Sequence, residues 1–382
     1  MKQEVALVKT RIKSLIKPFV SNDLKNLIKK LIATRIHKTI KGLPEIPDIK
    51  VLFDDFNPSH DRIISSSYID NCEQFSSFTS SRGIAKSCSN HNKILISSCS
   101  NIDKDLLSNL PKRASIYVCS DALINFAQFF LDHISQPFVL VSGDSDITID
   151  ENLLSNIYIK NMLESDKLIC WFAQNLSSRH PKLFQSPIGI DYHTHWSNYQ
   201  EWGGNKSSAL AQEASLLEIV SDSKFIKDRK FISYSNWHFF RERGDRQDCY
   251  NEIDKNATFF EPKRVSRLVS WRRQAECMFV LSPQGAGMDC HRTWESILLG
   301  NIVIAKHSEL DNLYKNLPII LVDSWSDVNK DLLRKSLSEM IHQKFDFSSL
   351  FLQHWAAKIN QNEKGFLLER MSLDEFKCYI SK

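Results

Sequence analysis

Residues 277–325 read CMFVLSPQGAGMDCHRTWESILLGNIVIAKHSELDNLYKNLPIILVDSW, and their order decides the fold. An apolar run, CMFVL, ends at Ser282-Pro283. A Gly285-Ala286-Gly287 turn follows, with Asp289 placed to cap a helix predicted over about Cys290–Leu299 and stopped by Gly300. Two further apolar, β-branched runs, NIVIA and PIILV, come after it. Strands that are apolar throughout, separated by a helix, are those of a parallel sheet buried on both faces. Glycines just before a helix N-terminus let an anion approach free backbone N–H groups and the positive end of the dipole. Arg292 adds a planar fork suited to phosphate oxygens. Glu295, about one turn on, can accept hydrogen bonds from ribose hydroxyls.

Outward from this stretch the same alternation holds. KFISYSNW (230–237) and ATFF (257–260) precede it. Further upstream, IKVLFDD (49–55), KILISSC (93–99), ASIYVCSD (114–121), PFVLVSGDSD (137–146), KLICWFAQN (167–175) and FQSPIGID (184–191) read as strands, and serine-rich 59–100 reads as loop-heavy. The predicted fold is α/β: two Rossmann-like domains facing a cleft, preceded by N-terminal amphipathic helices. The expected boundaries are a basic arm at 1–43, a first Rossmann-like domain at 44–200, a linker and helix at 201–229, a second Rossmann-like domain at 230–345, and C-terminal helices at 346–382 that pack back across the domains.

The 382 residues and their net charge of +4 describe an ordinary globular chain, but the charge is uneven. Residues 1–43 hold eleven Lys/Arg against two acids, a net +9, so the rest carries −5. Val5, Val8, Ile12, Leu15, Ile16 and Phe19, then Leu24, Leu27, Ile28 and Leu31, recur at helical spacing opposite lysines. Such a helix suits an anionic membrane surface, although packing against the body would give the same pattern. The arm lacks interleaved aromatics and the body is acidic, so nucleic acid is not an expected partner. No apolar run approaches a membrane span and no secretory signal opens the chain. Nine cysteines without a CxxC pair fit a reducing compartment and argue against a zinc or redox motif. The expectation is a cytoplasmic protein, peripheral on the inner face of a membrane.

FVLSPQGAGMDCHRTWESILLGNIVIAKHSELDNLY resembles the C-terminal nucleotide-sugar domain of exostosin-type glycosyltransferases. That family's pattern is a strand, a Pro-basic-Gly turn, an Arg, a Glu within a helix, and a Gly-X-Ile-Pro-Val strand. Gln284 stands where the basic residue is usual and Val303 where the proline is. The resemblance implies a GT-B fold with the donor nucleotide on the C-terminal domain, Arg292 on its diphosphate and Glu295 on its ribose. It implies an inverting, metal-independent glycosyltransferase with a nucleotide-sugar, expected to be a UDP-sugar, as co-substrate and a glycan or glycolipid hydroxyl as acceptor.

Other candidates follow from where turns meet the cleft. Arg241, Arg243 and Arg246 follow the 230–237 strand and are candidates to neutralise a leaving diphosphate; spacing leaves open which points inward. The donor-site set is therefore Arg241, Arg246, Gly285, Gly287, Arg292 and Glu295. Asp144 and Asp146, after the apolar run ending at Ser142-Gly143, are the candidate base for the acceptor hydroxyl; paired aspartates can also hold a metal, but glycosyl transfer through such a pair belongs to a single-domain architecture, and a turn role is the remaining alternative. Asn175, His180 and Asp191 are edge positions with weaker claims. His193 and His195 lack nearby cysteines or a third ligand, so no metal site is expected. Two alternatives remain: polyol-phosphate transfer from a CDP donor, which product analysis would separate, and a non-catalytic membrane-associated nucleotide- or glycan-binding protein, which a nucleotide titration would test.

Overall fold

The computed structural model describes residues 71–197, 206–361 and 365–381. The basic arm of residues 1–43 and the expected strand at 49–55 lie outside the described residues. Among the described residues, no helix is long and apolar enough to cross a membrane.

The first sheet is β1 (Ser115–Cys119), β2 (Phe138–Gly143), β3 (Leu168–Ala173) and β4 (Leu183–Gln185), parallel throughout and ordered β1-β2-β3-β4. All of β2 is buried, as a central strand covered on both faces requires. Successive side chains leave a strand on opposite faces. Ile116, Val118, Phe138 and Leu140 accordingly pack with Leu123 and Phe126 of α2 (Leu123–Phe129) and Met162 of α3 (Ile157–Glu164). Tyr117, Val139 and Val141 face the other way, onto Ile84 of α1 (Ser81–Ser87) and onto Leu352 and Trp355 from near the C-terminus. Each large apolar side chain so buried contributes about 1.5–3 kcal/mol.

The second sheet is β5 (Lys230–Ser235), β6 (Thr258–Phe260), β7 (Cys277–Leu281), β8 (Ile302–Lys306) and β9 (Ile319–Val322), parallel and ordered β6-β5-β7-β8-β9. The accompanying helices are α4 (His193–Ser197), α5 (Ala209–Asp222), α6 (Arg246–Glu252), α7 (Arg267–Ala275), α8 (His291–Leu298), α9 (Lys330–Met340), α10 (Leu352–Ile359) and α11 (Leu373–Ile380). Helix α5 begins at the Ser208 cap and buries Ala209, Leu216 and Val220 in the core of this lobe. Helix α10 packs on α1, so the C-terminal segment crosses back to the first sheet.

The expected strand at 93–99 does not form. Ile94 and Ile96 are 58% and 56% exposed, and Ser98 takes a left-handed φ of 51° that interrupts an extended chain. Its N–H donates to the Asp144 carbonyl at 2.9 Å, so the segment crosses the sheet's carboxyl edge instead of adding to it. The stretch read as loop-heavy also contains α1, nucleated by Ser80, whose Oγ accepts the Gly83 N–H at 3.0 Å.

Candidate functional site

The strand β7, the turn and α8 form in the order the sequence indicates. Asp289 is not the helix cap; Cys290 holds that position with no side-chain bond to the first turn. Asp289 is buried instead, accepting from Ile188 N–H at 2.8 Å, Trp294 Nε1–H at 2.9 Å and Tyr314 O–H at 3.1 Å. Its role is to join the 186–191 segment to α8, a better use of a buried carboxylate than one cap bond. Burial raises its pKa, against these donors.

At the open start of α8, Arg292 Nη2 donates to the Pro283 carbonyl at 2.8 Å, while its buried Nε has no partner. Arg246, first residue of α6, enters the same corner. Its Nε donates to the Gln284 carbonyl at 3.2 Å, and a Cβ on Gly285 would lie 3.1 Å from its Nη2. Burial, then the Arg292 charge, lowers the Arg246 pKa to about 10. Among the described residues no carboxylate pairs with either guanidinium. Two like charges held together over carbonyl oxygens, beside a helix N-terminus, form a corner that favours an anion. Arg241 and Arg243 do not join them. Both are exposed, Arg241 lying over the Tyr250 ring at 4.5 Å and Arg243 over Phe240 at 5.5 Å.

Glu295 does not offer a free acceptor to the cleft. It is 8% exposed, Arg267 Nη2 and Trp271 Nε1 donate to its two oxygens, and the Trp271 bond is 3.0 Å. Gly287 serves a close approach: a Cβ there would meet Asn175 Nδ2 of the first lobe at 2.8 Å and Asp146 Oδ1 at 3.3 Å. Asn175 Oδ1 in turn accepts the Asp289 N–H at 2.9 Å.

The carboxyl edge of the first sheet faces this turn. Asp144 and Asn175, after β2 and β3, both hold left-handed φ values, 54° and 53°. Such backbone costs on the order of 1 kcal/mol each and persists where surroundings over-determine it. Here Gln174 Oε1 accepts the Asp144 N–H at 3.1 Å, and Asn175 Nδ2 donates to the Ser145 carbonyl at 3.1 Å. The two predicted aspartates then part company. Asp144 is buried, ion-paired to Arg82 at 3.1 Å and accepting Ser97 Oγ–H at 2.8 Å. Burial pushes its pKa up, but His193, Arg82 and Ser97 together hold it below the usual carboxylate range. Asp146 is exposed, has no ion pair among the described residues, and lies next to Gly287.

A third group lies at the seam of the lobes. His193 Nδ1 is 3.3 Å from Asp191 Oδ1, and its Nε2 is 3.9 Å from Asp144 Oδ1. The His291 ring centroid lies 5.6 Å from that of His193. The absence of a third ligand, inferred from spacing, is corrected by the fold: His291, roughly a hundred residues downstream, comes up to Asp191 and His193. Arg82, Arg267 and His291 are residues of the candidate site that the sequence reading missed. Arg82 sits in the stretch read as loop-heavy, and Arg267 in a segment that carries no glycine turn or motif to single it out. His291 was legible only as the neighbour of Arg292. His180 lies in the turn before β4 and joins none of these groups; its Nδ1 accepts the Lys182 N–H at 3.2 Å.

No protein-family model and no curated protein matches this chain. The fold shown is an α/β protein with two parallel sheets, of four and five strands, consistent with two Rossmann-like domains.

Proposed function

We propose that the chain is a glycosyltransferase of GT-B type that moves a sugar from a nucleotide-sugar donor, UDP-linked in the simplest case, to a glycan or glycolipid hydroxyl with inversion. The observation that carries the reading is the Arg246–Arg292 corner: two half-buried guanidiniums without a carboxylate, at the carboxyl end of β7 where ligands bind in open α/β sheets. In the reaction the acceptor oxygen attacks the anomeric carbon, and the bond to the diphosphate breaks with its electron pair leaving on the phosphate oxygen. Arg246, Arg292 and the start of α8 stabilise that charge. The acceptor's proton goes to a carboxylate of the first lobe. Asp146, exposed beside Gly287, is that base, whereas Asp144 is held by Arg82 and orders the loop. Glu295 acts by positioning Arg267 and Trp271 beneath the site.

Calorimetric titration with UDP, GDP and CDP and their sugars tests the reading. Arg292→Ala removes charge-assisted hydrogen bonds of about 1.5–3 kcal/mol, roughly a 10- to 150-fold loss in nucleotide affinity. Parent protein that binds no nucleotide, or an Arg292→Ala protein that binds as well as the parent, sinks the proposal.

A further inference from the structure

Asp191, His193 and His291 come from two places in the chain, the segment leaving the first sheet and the first turn of α8. One ligand atom from each lies within 4.8 Å of the others. A tetrahedral zinc with bonds of about 2.1 Å spaces its ligands about 3.4 Å apart, a contraction that rotation of side chains can supply. His193 Nδ1 and Asp191 Oδ1 already stand 3.3 Å apart.

Two observations beyond proximity point to a cation. The first is the tautomer of His291. Its Nδ1 lies 2.8 Å from the Gly189 carbonyl oxygen, which can only accept, so Nδ1 carries a proton and Nε2 is the ring nitrogen that can offer a lone pair to a metal. A ring fixed through one nitrogen by a backbone carbonyl, with the other nitrogen free, is how metal-binding histidines are oriented. The second is charge. The ionised groups around the cluster are Asp144, Asp191, Glu295, Arg82 and Arg267. Arg82 pairs with Asp144 and Arg267 with Glu295. The Asp191 carboxylate, half-buried at the seam, forms no ion pair with a lysine or arginine among the described residues; it meets His193 and accepts the Thr194 N–H at 2.9 Å, while Arg267 is taken up by Glu295 and by the Asp191 backbone carbonyl. One negative charge is left beside two imidazoles, and a charge half withdrawn from water favours a counter-ion.

We propose that Asp191, His193 and His291 form a divalent transition-metal site that clips the first lobe to α8. Two imidazoles and one carboxylate suit zinc over magnesium or calcium. Three protein ligands leave one coordination position for solvent. The three ligands share no residue with the Arg246–Arg292 corner, although His291 is the chain neighbour of Arg292, so zinc binding and nucleotide binding are measured separately.

The test uses the full chain, stripped with chelator, dialysed, and titrated with Zn²⁺ by calorimetry and with Co²⁺ by visible absorption. One equivalent should bind, with the intense visible bands of tetrahedral cobalt, and the melting temperature should rise on loading. His193→Ala and His291→Ala should each weaken Zn²⁺ binding by more than the ~10- to 100-fold typical of an outer-shell loss. His307→Ala, in an exposed pair with Asp311, should change nothing. Melting curves of the stripped variants show that they are folded, and Asp191→Asn stands in for any that is not. A dissociation constant weaker than about 100 µM, far short of built zinc sites, overturns the proposal. So does binding that survives both histidine substitutions. UDP titrated into the stripped and loaded protein should give equal affinities; nucleotide binding lost on stripping would contradict the separation of the two sites.

Discussion

Replacing Glu295 by alanine distinguishes a ligand role from a structural one. Sequence spacing alone puts Glu295 on the cleft side of α8, where its loss would weaken nucleotide binding and leave the fold intact. The structure forecasts the reverse. The Glu295 and Arg267 side chains are 11% and 13% exposed, so little solvent screening reduces their interaction. Removing one member of a buried pair costs about 3–5 kcal/mol because it strands the other charge. Arg267 would keep only the Asp191 carbonyl and Gln212 Oε1 as acceptors. Trp271 Nε1–H would also lose its partner, a penalty of about 1–3 kcal/mol that overlaps the first and does not add in full. At roughly 2–4 °C per kcal/mol for a large domain, the melting temperature should fall by roughly 6–20 °C. Urea unfolding supplies the free energy, and a cycle with Arg267→Met isolates the pair. The double variant Arg267→Met/Glu295→Leu should recover most of the loss, since buried pairs can be exchanged for apolar neighbours. A Glu295→Ala protein that melts within about 2 °C of the parent while binding UDP tenfold more weakly refutes this reasoning and restores the ribose role.

Asp144→Asn should flatten the acid limb of the stability curve. The carboxyl's folded pKa lies below its unfolded value, so its contribution is present above about pH 4 and is lost as pH falls through the folded pKa; acid unfolding followed by tryptophan fluorescence reads the difference. Asp146→Asn should lower turnover by about 100-fold or more with donor affinity unchanged, and unchanged turnover would remove it as the base. Deleting residues 1–42 should abolish sedimentation with anionic vesicles in low salt, each basic residue near such a surface contributing about 1 kcal/mol. Equal sedimentation of both forms counts against a membrane role for the arm.

The elements legible in the sequence are those whose signal is local. β2 and β7 are unbroken apolar runs, and α8 is delimited by the glycine turn and Gly300. The reading failed at residues 93–99 because an apolar run shows β-propensity without showing a neighbouring strand to pair with. Ile94 and Ile96 fit a pleated surface, yet Ser98 turns the chain toward Asp144, and among the described residues no strand pairs with them. Strand propensity describes a half-buried environment, and only the tertiary fold supplies one.

The site divides along the same line. Arg292 and the turn before it could be placed because phosphate-binding parts are contiguous: a strand, a turn and the first residues of a helix. Charge partnership is not contiguous. Arg82 takes Asp144 from 62 positions upstream, and Arg267 takes Glu295 from 28 positions away. Each pairing changes the chemistry of a carboxylate that linear spacing presents as free. Asp191 shows the converse. It ends an apolar run with no distinguishing neighbour except His193, and its surroundings depend on α8 delivering His291 across the seam. Two carboxylates read as ligand-facing are thus ion-paired to arginines, while one read as a bare edge position has histidines as its ion-pairing neighbours among the described residues. That residual charge follows from the pairing of all five ionised groups, so it exists only once both lobes have folded against each other.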